Sequence, residues 1–194
     1  MGPELLQLFI LFLVIFDPLV SFSVFFAATS NMSGVERRKI AMLSLGVAIG
    51  LSFLVLFFGT SLLALFSTTL DEFRVAGGII LSILGIKMTL GMSLTTTTKS
   101  SGSAIAAIIG SPLLTGPAAI TAIIVSTEDF GTGLTAVALT AVFMLLAVIF
   151  FQARLFRRLV GETAVQIIST VLGMITLSWG VRFIIDGLRG IGAL

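Results

Sequence analysis

The chain has 194 residues, of which 57% are hydrophobic and 10% charged, with a net charge of +2. A soluble domain carries about a quarter charged residues. This composition, with a mean hydropathy of +1.21, therefore places the chain in a bilayer. The absence of Cys and His excludes disulfides, thiol chemistry, His-based catalysis and Cys/His metal sites.

The first apolar run starts almost at Met1, lacks a basic leading segment and continues too far to read as a cleavable signal peptide. It is expected as a first span over Pro3–Asn31, longer than a straight crossing needs and so kinked or tilted. Within it, Pro18 removes a backbone donor and clashes with the preceding turn, so a membrane helix breaks or kinks there. Asp17 before it has the chemistry of an N-cap, with proline at the first helical position.

Asp17 is also the one ionisable residue between Leu5 and Val35. A carboxylate near mid-membrane costs on the order of 3 kcal/mol, so it faces water, a partner or a ligand. Three roles are open to it: capping the helix that begins at Pro18, binding the ammonium group of a substrate, or taking and releasing a proton. Ser21, Ser23, Thr29, Ser30 and Asn31 follow the break, and Ser21, about one turn on, is placed to line a cavity.

The second and third spans are expected over Lys39–Phe66 and Glu72–Met92, with Gly46-x-x-x-Gly50 in the second as a small-residue packing surface, used within the chain or in a dimer. Residues 93–102 are polar and flexible and link the first repeat (1–92) to the second (103–194). The fourth span, Ser103–Ser126, carries Ser111-Pro112-Leu113-Leu114-Thr115-Gly116-Pro117-Ala118-Ala119. Two prolines so close, with a glycine between, do not hold a regular helix. A new helix is expected to start at Pro117, where the amides of Gly116, Ala118 and Ala119 and the positive end of the helix could receive a carboxylate. The alternative is a kink that only shapes packing. Thr115 and Thr121 are the counterparts of the hydroxyls after the first break.

The fifth and sixth spans follow over Gly131–Phe156 and Glu162–Leu188, and Arg182 and Asp186 are spaced to pair on one helical face. The phenylalanines read as packing or lipid-facing residues. Arg37, Arg38, Lys39, Lys87, Lys99, Arg154, Arg157 and Arg158 all fall on one side of this six-span arrangement. The positive-inside rule then puts both termini outside. The basic excess reads as this loop topology, and no nucleic-acid partner is expected.

The two halves align at an offset of 94 to 95 residues. Gly78 to Lys87 matches Gly173 to Arg182, with both glycines and the terminal base coinciding, and Pro18 matches Pro112. Three spans per half is an odd number, so the second half inserts upside down. The expected fold is an all-α membrane protein of two inverted three-helix repeats, with helices 1 and 4 broken at Pro18 and at Pro112 and Pro117. Transporters with such repeats place their site where broken helices meet.

Phe16-Asp17-Pro18, Asn31-Met32-Ser33 with Glu36-Arg37-Arg38, the run Phe73 to Leu81, and Ser111 to Ile120 together resemble the MarC family of integral membrane proteins over nearly the whole chain. Many members of that family carry Asn-Pro where this chain has Asp17-Pro18. The branch resembled best is that of archaeal small neutral amino acid transporters, which implies uptake of glycine and alanine coupled to an ion gradient. The expected function is therefore a secondary transporter of glycine, alanine and serine in the cell membrane, driven by protons or sodium. It would need no cofactor, and it is compatible with a homo-oligomer. Asp17, Pro18, Ser21, Ser111, Pro112, Thr115, Gly116, Pro117, Ala118 and Ala119 would form its substrate site. A channel or exporter for another small solute is the alternative. An enzyme is not expected, because the one nucleophile–acid pairing on offer is Ser111 with Asp17 and no activating base accompanies it.

Overall fold

The computed structural model describes residues 2–29, 32–92, 115–152 and 162–193, and the regular structure in them is helical throughout. The linker 93–102, Ser30, Asn31, Lys99, Ser111, Pro112, Arg154, Arg157 and Arg158 lie outside the described residues. The helices are α1 (Gly2–Phe16), α2 (Pro18–Ala28), α3 (Gly34–Leu65), α4 (Leu70–Thr89), α5 (Pro117–Phe130), α6 (Thr132–Phe151) and α7 (Glu162–Gly190). Among the described residues, four apolar stretches are long enough to cross a bilayer: Gly2–Phe22, Gly34–Leu65, Thr132–Phe151 and Gln166–Gly190.

Helix ends follow local chemistry. Residue 17 separates α1 from α2 and has φ 37°, outside the right-handed helical region. α3 begins earlier than expected, at Gly34, because Ser33 and Glu36 form a reciprocal capping box: the Ser33 hydroxyl accepts from the Glu36 amide and the Glu36 carboxylate from the Ser33 amide. Thr69 and Glu72 do the same for α4, which begins at Leu70. Gly131, with φ 82°, ends α5 and starts α6. No L side chain takes that conformation cheaply. The helix of the expected fourth span thereby runs on to Phe130 rather than stopping at Ser126.

α5 is the central helix. Ala118, Ala119 and every residue from Thr121 to Ser126 are buried, and α1, α3, α4 and α6 all pack on it. Phe16 against Phe143 (5.1 Å between ring centroids) and Phe25 against Phe150 (4.8 Å) tie α1 and α2 to α6. Rings at these separations gain beyond their area burial. The most extensive pairing is α4 with α7. The two run antiparallel, with glycines at the crossing: a Cβ on Gly78, Gly85, Gly173, Gly180 or Gly187 would come within 2.8 Å of an atom of the other helix. Small residues let membrane helices approach this closely.

Gly46 and Gly50 behave differently. Both are exposed, and a Cβ on either would meet nothing within 4 Å. Among the described residues no part of the chain packs on this pair. The same small-residue spacing is silent about whether a partner helix lies opposite.

Candidate functional site

Asp17 is 4% exposed in an otherwise apolar stretch. Its Oδ1 accepts from the Val20 amide at 3.2 Å, the geometry of an N-cap to the third helical residue. Its Oδ2 accepts from the Ser169 hydroxyl at 3.4 Å, so α2's start is joined to the first third of α7. Pro18 opens α2 without wasting a donor, and the Ser21 amide bonds the Asp17 carbonyl at 3.0 Å. Ser21 is buried, but its hydroxyl donates to the Phe16 carbonyl at 2.8 Å. That bond satisfies a carbonyl released where α1 ends.

A second polar group forms at the start of α5. Thr115 is buried and donates to the Ala48 carbonyl of α3 at 3.2 Å, and its hydroxyl lies 3.4 Å from that of Ser52. Gly116 is the N-cap of α5 and supplies no side-chain bond. Among the described residues, the amides of Ala118 and Ala119, among the first donors of the helix, receive no side-chain cap. Ala118 and Ala119 are buried, Gly116 is half-buried and the Pro117 ring is exposed. Thr121, as expected of a helical hydroxyl, bonds back to the Pro117 carbonyl at 3.0 Å.

Asp17, Pro18 and Ser21 are thus together, as are Thr115, Gly116, Pro117, Ala118 and Ala119. The first group leans on α7 through Ser169, the second on α3 through Ala48 and Ser52, and α1 packs on α5. Ser169 and Ser52 do not stand out as site residues in the sequence. A usable signal exists for Ser52: Ser44, Ala48 and Ser52 recur every fourth residue in an apolar helix, which puts small and polar groups on one face.

An open cleft of about 50 Å³ lies at the far end of the bundle, lined by Gln7, Arg74, Asp129, Trp179, Arg182 and Asp186 among others. Arg74 bonds Asp71 at 2.9 Å on its own helix and reaches Asp129 on α5. Arg182 and Asp186 pair at 3.5 Å, as their spacing predicts. Because the cleft joins the first turns of α1 to the last turns of α7, both described chain ends lie on one side of the bundle.

An all-α, multi-span integral membrane protein with a buried intramembrane carboxylate is the class these features define. Residues 2–192 match the MarC family of integral membrane proteins, and the chain belongs to that family. It is similar to the UPF0056 membrane protein YhcE of Escherichia coli, with 29% identity covering 97% of this chain and 94% of that one. It is 26% identical to the UPF0056 inner membrane protein YhgN of Escherichia coli, covering 96% of each. A UPF0056 membrane protein of Aquifex aeolicus is 28% identical over 98% of this chain and 94% of its own length. No solved structure matches.

Proposed function

We propose that this protein is a secondary transporter of small neutral amino acids, glycine and alanine foremost and serine with them, driven by a proton or sodium gradient. The observation that carries the reading is Asp17: a carboxylate 4% exposed at an interruption between two helices of a membrane span, bonded across to Ser169. Intramembrane carboxylates mark substrate and ion pathways. The uncapped start of α5 is its natural complement. There the Ala118 and Ala119 amides and the helix dipole favour the amino acid's carboxylate, while Asp17 favours its ammonium group. Alanine and glycine side chains around the α5 start leave room for a small substrate and little for a large one.

Alternating access would come from two inverted repeats rocking against each other. Support comes from the α4–α7 crossing. Gly78 and Gly85 align in sequence with Gly173 and Gly180, and in space Gly78 meets Gly180 while Gly85 meets Gly173. A two-fold axis in the membrane plane generates that exchange of partners. Likeness to the archaeal small neutral amino acid transporters, a place in the cell membrane with both termini outside, and the absence of any enzymatic step belong to the same reading. The name of the Escherichia coli inner membrane relative is consistent with that location.

The test is uptake of labelled glycine into proteoliposomes of the full chain, with proton or sodium gradients imposed separately. Gradient-driven accumulation that glycine and alanine compete for, and leucine does not, is the expected result. Flux that follows no ion gradient would favour a channel instead.

A further inference from the structure

Ser44 on α3 has 0% exposure, and among the described residues its hydroxyl has no hydrogen-bond partner. Burying a hydroxyl without a partner costs about 1–3 kcal/mol. A partner was within easy reach, because a helical Ser or Thr can donate to the carbonyl four residues back. Ser82, Thr89, Thr121, Thr127, Thr176 and Ser178 each do so, at 2.7 to 3.0 Å. Ser44 does not. One turn along α3 from it lies Ala48, also fully buried, whose carbonyl accepts from Thr115, and one turn further Ser52 meets the same Thr115 hydroxyl. Ser44, Ala48 and Ser52 thus form a buried seam on α3 that carries bonded hydroxyls at one end, a methyl group in the middle and an unbonded hydroxyl at the other end.

We propose that this seam is part of the substrate site and that Ser44 hydrogen-bonds the transported amino acid. The inference rests on the transporter reading and adds α3 to its site. Between the levels of Ala48 and Ser44 lies one helical turn, roughly 5.4 Å, a length suited to glycine or alanine held at Thr115 and the α5 start by one end and at Ser44 by the other. Ala48 between them sets the space for the substrate's own side chain. The seam is out of contact with solvent, as the occluded stage of alternating access requires. The Ser44 hydroxyl, both donor and acceptor, serves either end of a zwitterion.

Ligand-dependent melting of the purified full chain tests this, with glycine as the probe and leucine as the control, on wild type, Ser44→Ala and Ser44→Cys. Ser44→Ala is expected to melt at or above the ligand-free wild type, because removing an unbonded buried hydroxyl removes a cost. Its half-saturating glycine concentration is expected to rise about tenfold, the worth of one hydrogen bond. Ser44→Cys, which keeps the volume with a weak donor, should fall between the two. An unchanged glycine response in both variants overturns the proposal while leaving the transporter reading in place. So does a ligand-free Ser44→Ala that melts well below wild type, since the hydroxyl would then be bonded within the protein. A wild type that glycine does not stabilise overturns the transporter reading and this proposal with it.

Discussion

Gly78 and Gly180 meet backbone to backbone. A Cβ on Gly78 would lie 2.6 Å from the Gly180 carbonyl oxygen, and a Cβ on Gly180 would lie 2.7 Å from the Gly78 carbonyl oxygen. Neither obstacle is a flexible side chain, so α4 and α7 must move apart to admit anything larger than hydrogen. Gly78→Val and Gly180→Val are each expected to lower stability by about 1–3 kcal/mol or more, read as a lower melting temperature of the purified protein. Gly46→Ala is the control. Its Cβ meets nothing within 4 Å, and alanine has the better helix propensity, so that variant should match wild type or melt higher. The proposed two-fold relation adds a finer expectation: Gly78→Ala and Gly173→Ala occupy equivalent places and should cost similar amounts.

Asp17 combines a positive φ, a capping bond and a buried charge, and three substitutions separate them. Asp17→Asn keeps the acceptor for the Val20 amide and tolerates the left-handed region, so it should fold and melt close to wild type. Under the proposed mechanism its gradient-driven glycine uptake should nevertheless be lost. Asp17→Gly removes the cap and the charge but fits the φ of 37°. Asp17→Ala loses the cap and carries the backbone strain too, and should melt below Asp17→Gly by an amount worth about 1 kcal/mol. Equal melting of the alanine and glycine variants would show that the backbone at residue 17 is not strained. Full uptake by Asp17→Asn would reduce the carboxylate to a helix cap.

Arg74 links α4 to α5 through Asp129 while also bonding Asp71. Asp129 is 41% exposed, so solvent screens the pair and Asp129→Asn should cost no more than about 1 kcal/mol. That cost should shrink as ionic strength rises towards 1 M, where charges beyond about 3 Å are screened. Arg74→Ala should cost more than Asp129→Asn, because it leaves Asp71 and Asp129 without their shared cation and strips an aliphatic stem from the cleft. Melting curves of both variants across a salt series check the ordering and the slope.

Helix starts at proline were legible because proline chemistry is local: Pro18 and Pro117 each stand at the first position of a helix, where a missing donor costs nothing, while Pro112 lies outside the described residues. The starts of α3 and α4 were misplaced by two to five residues, although Ser33-x-x-Glu36 and Thr69-x-x-Glu72 carry the capping-box pattern in plain view. Long-range partners were not legible. Nothing in the spacing of Ser169 ties it to Asp17, 152 residues away, since that contact depends on how α7 rotates about its axis. Gly46 and Gly50 are undecided for the same reason: a small-residue motif specifies that close approach is allowed, and only the fold decides what approaches. The α4–α7 glycine crossing was likewise not legible as a contact: the sequence aligns Gly78 and Gly85 with Gly173 and Gly180 and does not say that the two helices meet.

Thr115 gives the sharpest test of how the α5 start is held. Its hydroxyl donates to the Ala48 carbonyl and lies 3.4 Å from the Ser52 hydroxyl, so it joins the segment before α5 to the middle of α3. Thr115→Val preserves shape and β-branching and removes both interactions. Hydrogen bonds between membrane helices average about 0.6 kcal/mol and reach about 1.7, and the buried Ser52 hydroxyl left behind pushes this case towards the upper figure. Ser52→Ala should cost less, because Thr115 keeps its bond to Ala48. Adding Ser52→Ala to Thr115→Val should restore part of the loss, since the orphaned hydroxyl is then gone. A double-mutant cycle of melting free energies should therefore give a coupling of about half a kcal/mol or more. Strict additivity would mean that the two hydroxyls are neighbours without being bonded, and that the Ala48 carbonyl alone anchors the start of α5.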